Sequence, residues 1–245
     1  MAYSRTYDIP YFLTDRYRKL RLTPLVQFLE DMAIRHSEHC GVGLDFYEKH
    51  NVAWVLAKWD VTIHRYPVFN EVITITTAPT SFRNFFGFRK FDIKDESGVL
   101  LAEGASLWIY VDTQKKRPLP VTEHLIDAYG LTPDQNRPLP IAAPEPPENT
   151  DLSSDITIRS ADIDTNLHVN NARYIEWALD TIPFSAIDGK QVKRLRVDYK
   201  KELQLGDEVL SVVDIQHGEH GITTRHRIGN KDKTACFITL DWSTQ

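Results

Sequence analysis

Asp162, Asp164, Asn166, His168, Asn170 and Asn171 fall within ten residues, in the run DIDTNLHVNNARYIEW that ends at Trp177. Asp164, Asn166 and His168 occupy alternate positions, so an extended segment would carry them on one side. Asn170 or Asn171 suits the N-cap of the helix that follows, and the free N–H groups of that helix would point back at the same place. A carboxylate, an amide, an imidazole and a helix positive end meeting at one spot suit the polarisation of a carbonyl. The same residue types also make an ordinary polar loop with an Asx-turn, an Asn cap and a solvated histidine.

Glu202 is the second carboxylate of interest. It lies near the end of the strand-like run LRVDYKKEL, where Leu195, Val197, Tyr199 and Leu203 share one phase and Glu202 shares the other with Arg196, Asp198 and Lys200. That phase is the pattern of a solvated strand charge. Partly buried beside an apolar groove and near the Asp164–His168 run, Glu202 would instead serve as a base or nucleophile toward a polarised carbonyl.

Other candidates are weaker. His36, His39 and Cys40 in HSEHC have metal-like composition, but no second cluster supplies a fourth ligand, and histidines at a helix end read equally well. His217 and His220 straddle a Gly turn and suit a hairpin tip. EGASLW lacks the last Gly of a nucleophile elbow, and neither a P-loop nor a dinucleotide fingerprint is present. The expectation is chemistry without metal or cofactor.

The elements that must hold these groups repeat. In the first half a helix over LTPLVQFLEDMAIRHSEHCG, with Thr23 as cap and Pro24 at its first position, precedes strands at Trp54–Tyr66, EVITITTAP, FFGFRKFDIKD and VLLAEGASLWIYVD, with a hairpin at DESG. Residues 131–150, crowded with Pro138, Pro140, Pro144, Pro146 and Pro147, read as a stiff, extended linker. Then a strand, a helix through Tyr174, Ile175 and Trp177, and four strand patterns follow. Phe28-Leu29-Glu30 can be laid on Tyr174-Ile175-Glu176, and Arg65 on Glu202. The chain reads as a tandem α+β repeat, with units at 1–130 and 151–245. Two such units side by side can cover each other's sheet edges and line a shared groove.

Composition sets the class. The apolar fraction is 42%, the charged fraction 26% and the net charge −5, values of a globular protein that is no general nucleic-acid binder. Basic residues cluster at Arg16, Arg18, Lys19 and Arg21, at Lys115–Arg117, and at Lys193, Arg194 and Arg196. Each cluster suits an acidic partner or a solvated loop. Two distant cysteines form no disulfide framework, and no signal peptide, transit peptide or membrane-length apolar run is seen. A cytoplasmic location without a membrane partner is expected.

The runs LxxLVQFLEDMAIRHSEHCG, VAWVLAKWDVTIHRYPVFNEV, ASLWIYVDTQKKRPLPV, DIDTNLHVNNARYIEW and LRVDYKKELQLGDEV resemble the plant and bacterial acyl-[acyl-carrier-protein] thioesterases over nearly the whole chain. The resemblance implies a double hotdog, each half a long helix wrapped by an antiparallel sheet. It places the family's catalytic Asp, Asn, His and Glu on Asp164, Asn166, His168 and Glu202. The residue after that Glu, often Cys in plant members, is Leu203 here, which favours Glu202 as the base that activates water over a thiol nucleophile. Asn166 and His168 would bind the thioester or orient water, Asp164 would position its neighbours, and N–H groups near Asn170 and Asn171 would hold the oxyanion. An acyl groove within the first unit, a fatty acyl carrier protein docked on basic surface, and a monomer (an internal pseudo-dimer) or homodimer are further implications. The expected reaction is release of free fatty acid, ending fatty acid synthesis. A hotdog dehydratase, a coenzyme A thioesterase and a non-catalytic acyl-carrier binding module are the alternatives.

Overall fold

The computed structural model describes residues 1–150, 152–218, 221–230 and 232–244, so His220 lies outside the described residues. The chain divides into two compact units, Met1–Ala57 with Val61–Ile141, and Lys58–Asp60 with Ala142 onward.

The first unit contains β1 (Tyr3–Asp8), α1 (Leu22–His39), α2 (Leu44–His50), β2 (Val52–Ile63), β3 (Val72–Arg83), β4 (Phe86–Asp95), β5 (Leu100–Asp112), β6 (Arg117–Pro118) and α3 (Glu123–Ala128). Its strands run in the order β1-β3-β4-β5-β2, with β6 on β5. Leu25, Val26, Leu29, Met32 and Ala33 recur at helical spacing on α1 and are buried. Ile73, Ile75 and Thr77 alternate inward on β3. The DESG hairpin closes as its residue types require. Asp95 Oδ1 accepts the N–H groups of Ser97 and Val99 at 3.0 and 2.9 Å, and Gly98 takes φ +84°.

Three local expectations are corrected. Helix α1 begins at Leu22 with Arg21 at the N-cap, so Pro24 is its third residue and Thr23 lies inside it. The short helices α2 and α3 are additions; Thr122 caps α3 through its side chain. From Ala142 the proline-rich segment runs against the second sheet. There Glu145 N–H donates to Thr239 Oγ1 at 2.9 Å and Glu148 N–H to Asp214 Oδ2 at 3.1 Å.

The second unit contains β7 (Leu152–Ile156), α4 (Asn171–Thr181), α5 (Phe184–Ile187), β8 (Lys190–Tyr199), β9 (Val209–Gly218), β10 (Gly221–Gly229) and β11 (Thr234–Thr244), in the order β8-β11-β10-β9-β7. Helix α4 buries Tyr174, Ile175, Trp177 and Ala178.

Each unit is therefore a helix against an antiparallel sheet, and the hydrogen bonds fix how the two copies correspond. A 3-10 turn at Tyr11–Leu13 matches one at Ser160–Asp162. The isolated bridge Thr14–Leu20 matches Ile163–Val169. His64 and Arg65 both donate N–H to Leu101 C=O, at 2.9 and 3.1 Å, as Lys200 and Lys201 do to Ala235 C=O, at 2.7 and 3.1 Å. Val68 N–H donates to Glu71 and Gln204 N–H to Asp207, both at 2.9 Å. Tyr66, not Arg65, is thus the counterpart of Glu202. Leu25, not Phe28, is the counterpart of Tyr174.

Candidate active site

The segment from Asp164 to His168 is a tight turn rather than an extended strand. Asp164 N–H donates to His168 C=O at 2.8 Å, and Leu167 N–H to Asp164 C=O at 3.1 Å. Leu167 sits at φ +63°, in the left-handed region that costs a branched residue roughly 1–2 kcal/mol. What holds it there is Asp164, whose Oδ1 accepts the N–H of Asn166 at 2.8 Å and that of His168 at 3.4 Å. The carboxylate is spent on backbone donors, as in an Asx-turn. It orders the loop on which Asn166 and His168 stand.

Two strands of support fix the loop to its surroundings. Val169 N–H donates to Leu203 C=O at 2.8 Å, which ties the turn to the segment carrying Glu202. Tyr174, on the first turns of α4, accepts the Leu203 N–H on its phenol oxygen at 3.1 Å. Burial pushes that phenol's pKa upward, so it keeps its proton. Asn170 caps α4 by accepting the Ala172 N–H at 3.0 Å.

This scaffold brings His168 and Glu202 together, with Nε2 3.1 Å from Oε2. Their side chains are 23% and 55% exposed. Glu202 follows the end of β8 in an open loop, so the partly buried setting expected for it is not found. Asn166 is exposed. Of the four sequence candidates, then, His168 and Glu202 form a contact, Asp164 reaches them through the backbone, and Asn166 stands alongside.

The expected oxyanion donors need one correction. The Asn170 N–H is committed to Asp162 C=O at 2.8 Å. The N–H of Asn171, the first residue of α4, is of the kind a helix cannot satisfy internally. Asp162 opens the polar run without a role legible in the sequence, and Arg173 carries no sequence signal at all. Asp162 is buried, accepts the Arg159 N–H at 2.8 Å and meets Arg173 Nη2 at 2.5 Å, while Arg173 also pairs with Glu176. A carboxylate opening a polar run gives no sign that it is the buried one.

The first unit holds a copy of the same turn with other groups. Asp15 Oδ1 accepts the N–H groups of Tyr17 and Lys19 at 2.8 and 2.9 Å, and Arg18 sits at φ +60°. Tyr17, Lys19 and the buried Tyr66 occupy the places of Asn166, His168 and Glu202. At this turn, among the described residues, the second copy carries an imidazole–carboxylate pair and the first does not. The His36 of HSEHC is also accounted for: Arg89 Nη1 donates to its Nδ1 at 2.8 Å, and it stacks on Tyr3.

Comparison with known proteins places this scaffold. The model of the acyl-ACP thioesterase N-terminal domain matches residues 1–129, and that of the acyl-ACP thioesterase C-terminal domain matches residues 145–244. The chain belongs to the acyl-ACP thioesterase family. It is 27% identical to an oleoyl-acyl carrier protein thioesterase of Arabidopsis thaliana over 77% of this chain and 56% of that protein. It is 24% identical to an acyl-[acyl-carrier-protein] hydrolase of Cuphea viscosissima over 95% of this chain and 60% of the relative. The chain thus spans somewhat over half the length of these plant relatives. Among solved structures, a Lactobacillus plantarum protein provisionally named an oleoyl thioesterase superposes with a TM-score of 0.92 at 28% identity, covering 100% of this chain and 96% of its own. The 12:0-ACP thioesterase of Umbellularia californica, at 19% identity and a TM-score of 0.83 over 100% and 94%, shares the fold. The family's fold is the double hotdog that the sequence resemblance implied.

Proposed function

We propose that this family member hydrolyses fatty acyl thioesters of acyl carrier protein to free fatty acid, with Glu202 as the general base. The observation that carries the reading is the His168–Glu202 pair, held on a turn whose order comes from Asp164. With a proton on Nε2, His168 donates to one oxygen of Glu202 and leaves the other as an acceptor. That oxygen takes a proton from water as the hydroxyl adds to the thioester carbon. The Asn166 amide and the Asn171 N–H supply donors toward the oxyanion, a contribution worth on the order of 3 kcal/mol per donor. Collapse of the tetrahedral intermediate breaks the C–S bond, and the proton on Glu202 passes to the departing thiolate. No thiol stands at the position after Glu202, which is Leu203.

The carrier-protein substrate and a role in ending fatty acid synthesis are supported by the names of the plant relatives. A reducing, cytoplasmic setting suits the free Cys40 and Cys236. The test is release of free fatty acid from acyl-carrier-protein thioesters of several chain lengths by wild type and Glu202→Gln. Turnover that collapses in the variant is expected. Turnover retained in the variant moves the base elsewhere, water loss from a 3-hydroxyacyl chain makes the protein a dehydratase, and tight binding without release leaves a binding module.

A further inference from the structure

The turn that mirrors the His168 loop carries side chains its scaffold does not require. Tyr11 and Phe12 keep 70% and 75% of their surface exposed, whereas the matching positions of the second unit are Ser160 and Ala161. Arg16 and Arg18 are exposed where the other turn has Thr165 and Leu167. Both turns close with the same backbone hydrogen bonds, so the fold needs neither the rings nor the guanidinium groups.

These side chains form one patch. The Tyr11 ring meets that of Phe69 edge-on at 5.7 Å, and Phe69 N–H donates to Arg18 C=O at 2.7 Å. The Arg16 guanidinium lies over the Tyr17 ring at 4.7 Å. From Tyr11 to Arg21 the chain has four cations and a single acid, Asp15, whose carboxylate is occupied within the turn. On a protein of net charge −5 this is a local reversal of sign.

We propose that the patch docks the first unit onto an anionic lipid surface, with Tyr11 and Phe12 entering the headgroup boundary and Arg16 and Arg18 among the headgroups. This departs from the expectation of no membrane partner and does not depend on the hydrolase reading. Two adjacent rings that protrude from a single 3-10 turn suit a bilayer boundary, which takes up each amphipathic or apolar side chain separately. Nearby cations add attraction to anionic lipid that fades within a Debye length. An acidic protein would meet the same charges, but would bury the rings only in a pocket shaped to them.

The second unit supplies substitutions that its own turn already tolerates. Wild type, Tyr11→Ser/Phe12→Ala and Arg16→Thr/Arg18→Leu are sedimented with phosphatidylcholine vesicles, with and without phosphatidylglycerol, at low and high salt. Thermal unfolding confirms that each variant is folded. Wild type is expected to sediment with the anionic vesicles only and to be released by salt, and each variant to bind roughly tenfold more weakly or worse. Failure of wild type to sediment, or equal sedimentation of folded variants, overturns the proposal. A raised KM for carrier-linked substrate in the variants, without any vesicle effect, also overturns it and assigns the patch to an acidic protein.

Discussion

Asp164 and Asp15 perform the same backbone task in two units, one beside the His168–Glu202 pair and one beside none. That duplication separates positioning from chemistry. Replacing Asp164 by Ala removes an N–H···carboxylate bond of 2.8 Å and a marginal one of 3.4 Å. Hydrogen bonds to charged groups contribute roughly 1.5–3 kcal/mol. One good bond in a solvent-accessible loop puts the loss at about 2 kcal/mol. The turn also loses what holds Leu167 in its left-handed conformation. If the ordered turn must be populated at each encounter, about 2 kcal/mol lowers kcat/KM by roughly 30-fold. Asp164→Asn keeps an acceptor oxygen without its charge and retains about half the bond strength, so it should lose only about 1 kcal/mol, roughly fivefold in kcat/KM. Asp15→Ala, which loses bonds of 2.8 and 2.9 Å, should lower the unfolding temperature at least as much as Asp164→Ala, yet leave kcat/KM unchanged. The assay is fatty acid release from one acyl-carrier-protein thioester, with thermal unfolding on the same samples. An Asp164→Asn enzyme as inactive as Asp164→Ala, with both down by three orders of magnitude or more, would refute the positioning argument and make the carboxylate a reacting group.

Three further outcomes follow from the same geometry. His168→Ala should lower kcat by about 10²–10⁴ with little change in unfolding temperature, because the half-exposed pair it breaks contributes little to stability; a large loss of stability instead would contradict this. Tyr174→Phe should destabilise the fold by about 1–3 kcal/mol, since the buried Leu203 N–H loses its acceptor, and denaturant unfolding measures it. Burial lowers the pKa of His226 from 6.5 to about 3, and burial first, then Arg89, does the same for His36. The unfolded chain therefore binds these protons below about pH 6.5 and the folded chain only near pH 3, so stability falls as pH drops through that window. His226→Gln should flatten the fall relative to wild type, and an unchanged slope would show that His226 does not contribute.

The loop motif is legible because Asp164, Asn166 and His168 are nearly contiguous and need no topology to find, whereas only the fold joins Glu202 to His168. The loop's shape is not. Alternating Asp164, Asn166 and His168 suit an extended strand as well as an Asx-turn, and only the hydrogen bonds of Asp164 to two N–H groups decide between them. The repeat was legible in element order, but its register slipped. Laying Arg65 on Glu202 sets Glu71 against Glu208 and so aligns acidic residues by type. The structure aligns Glu71 with Asp207 by task, since each accepts the N–H of the residue three before it. The first unit's turn reads as a basic cluster because DRYRK shares only its Asp with DTNLH. Buried Asp162 was hidden for a related reason: burial of a charge depends on its partner Arg173, eleven residues away.

The corrected register changes what the duplication means. Aligned with Arg65, Glu202 appears as a charge reversal at an exposed strand end. Aligned with Tyr66, it is an open carboxylate where the first unit buries a phenol. In both units an Asp closes the turn and a left-handed residue lies three positions on, so these belong to the scaffold. The groups that differ are the amide, the imidazole and the carboxylate, replaced in the first unit by Tyr17, Lys19 and Tyr66. A feature kept by both copies needs no reaction to explain it, whereas the His168–Glu202 contact is confined to one. On that ground Asp164 separates from the other three candidates, and chemistry is to be sought at His168, Glu202 and Asn166.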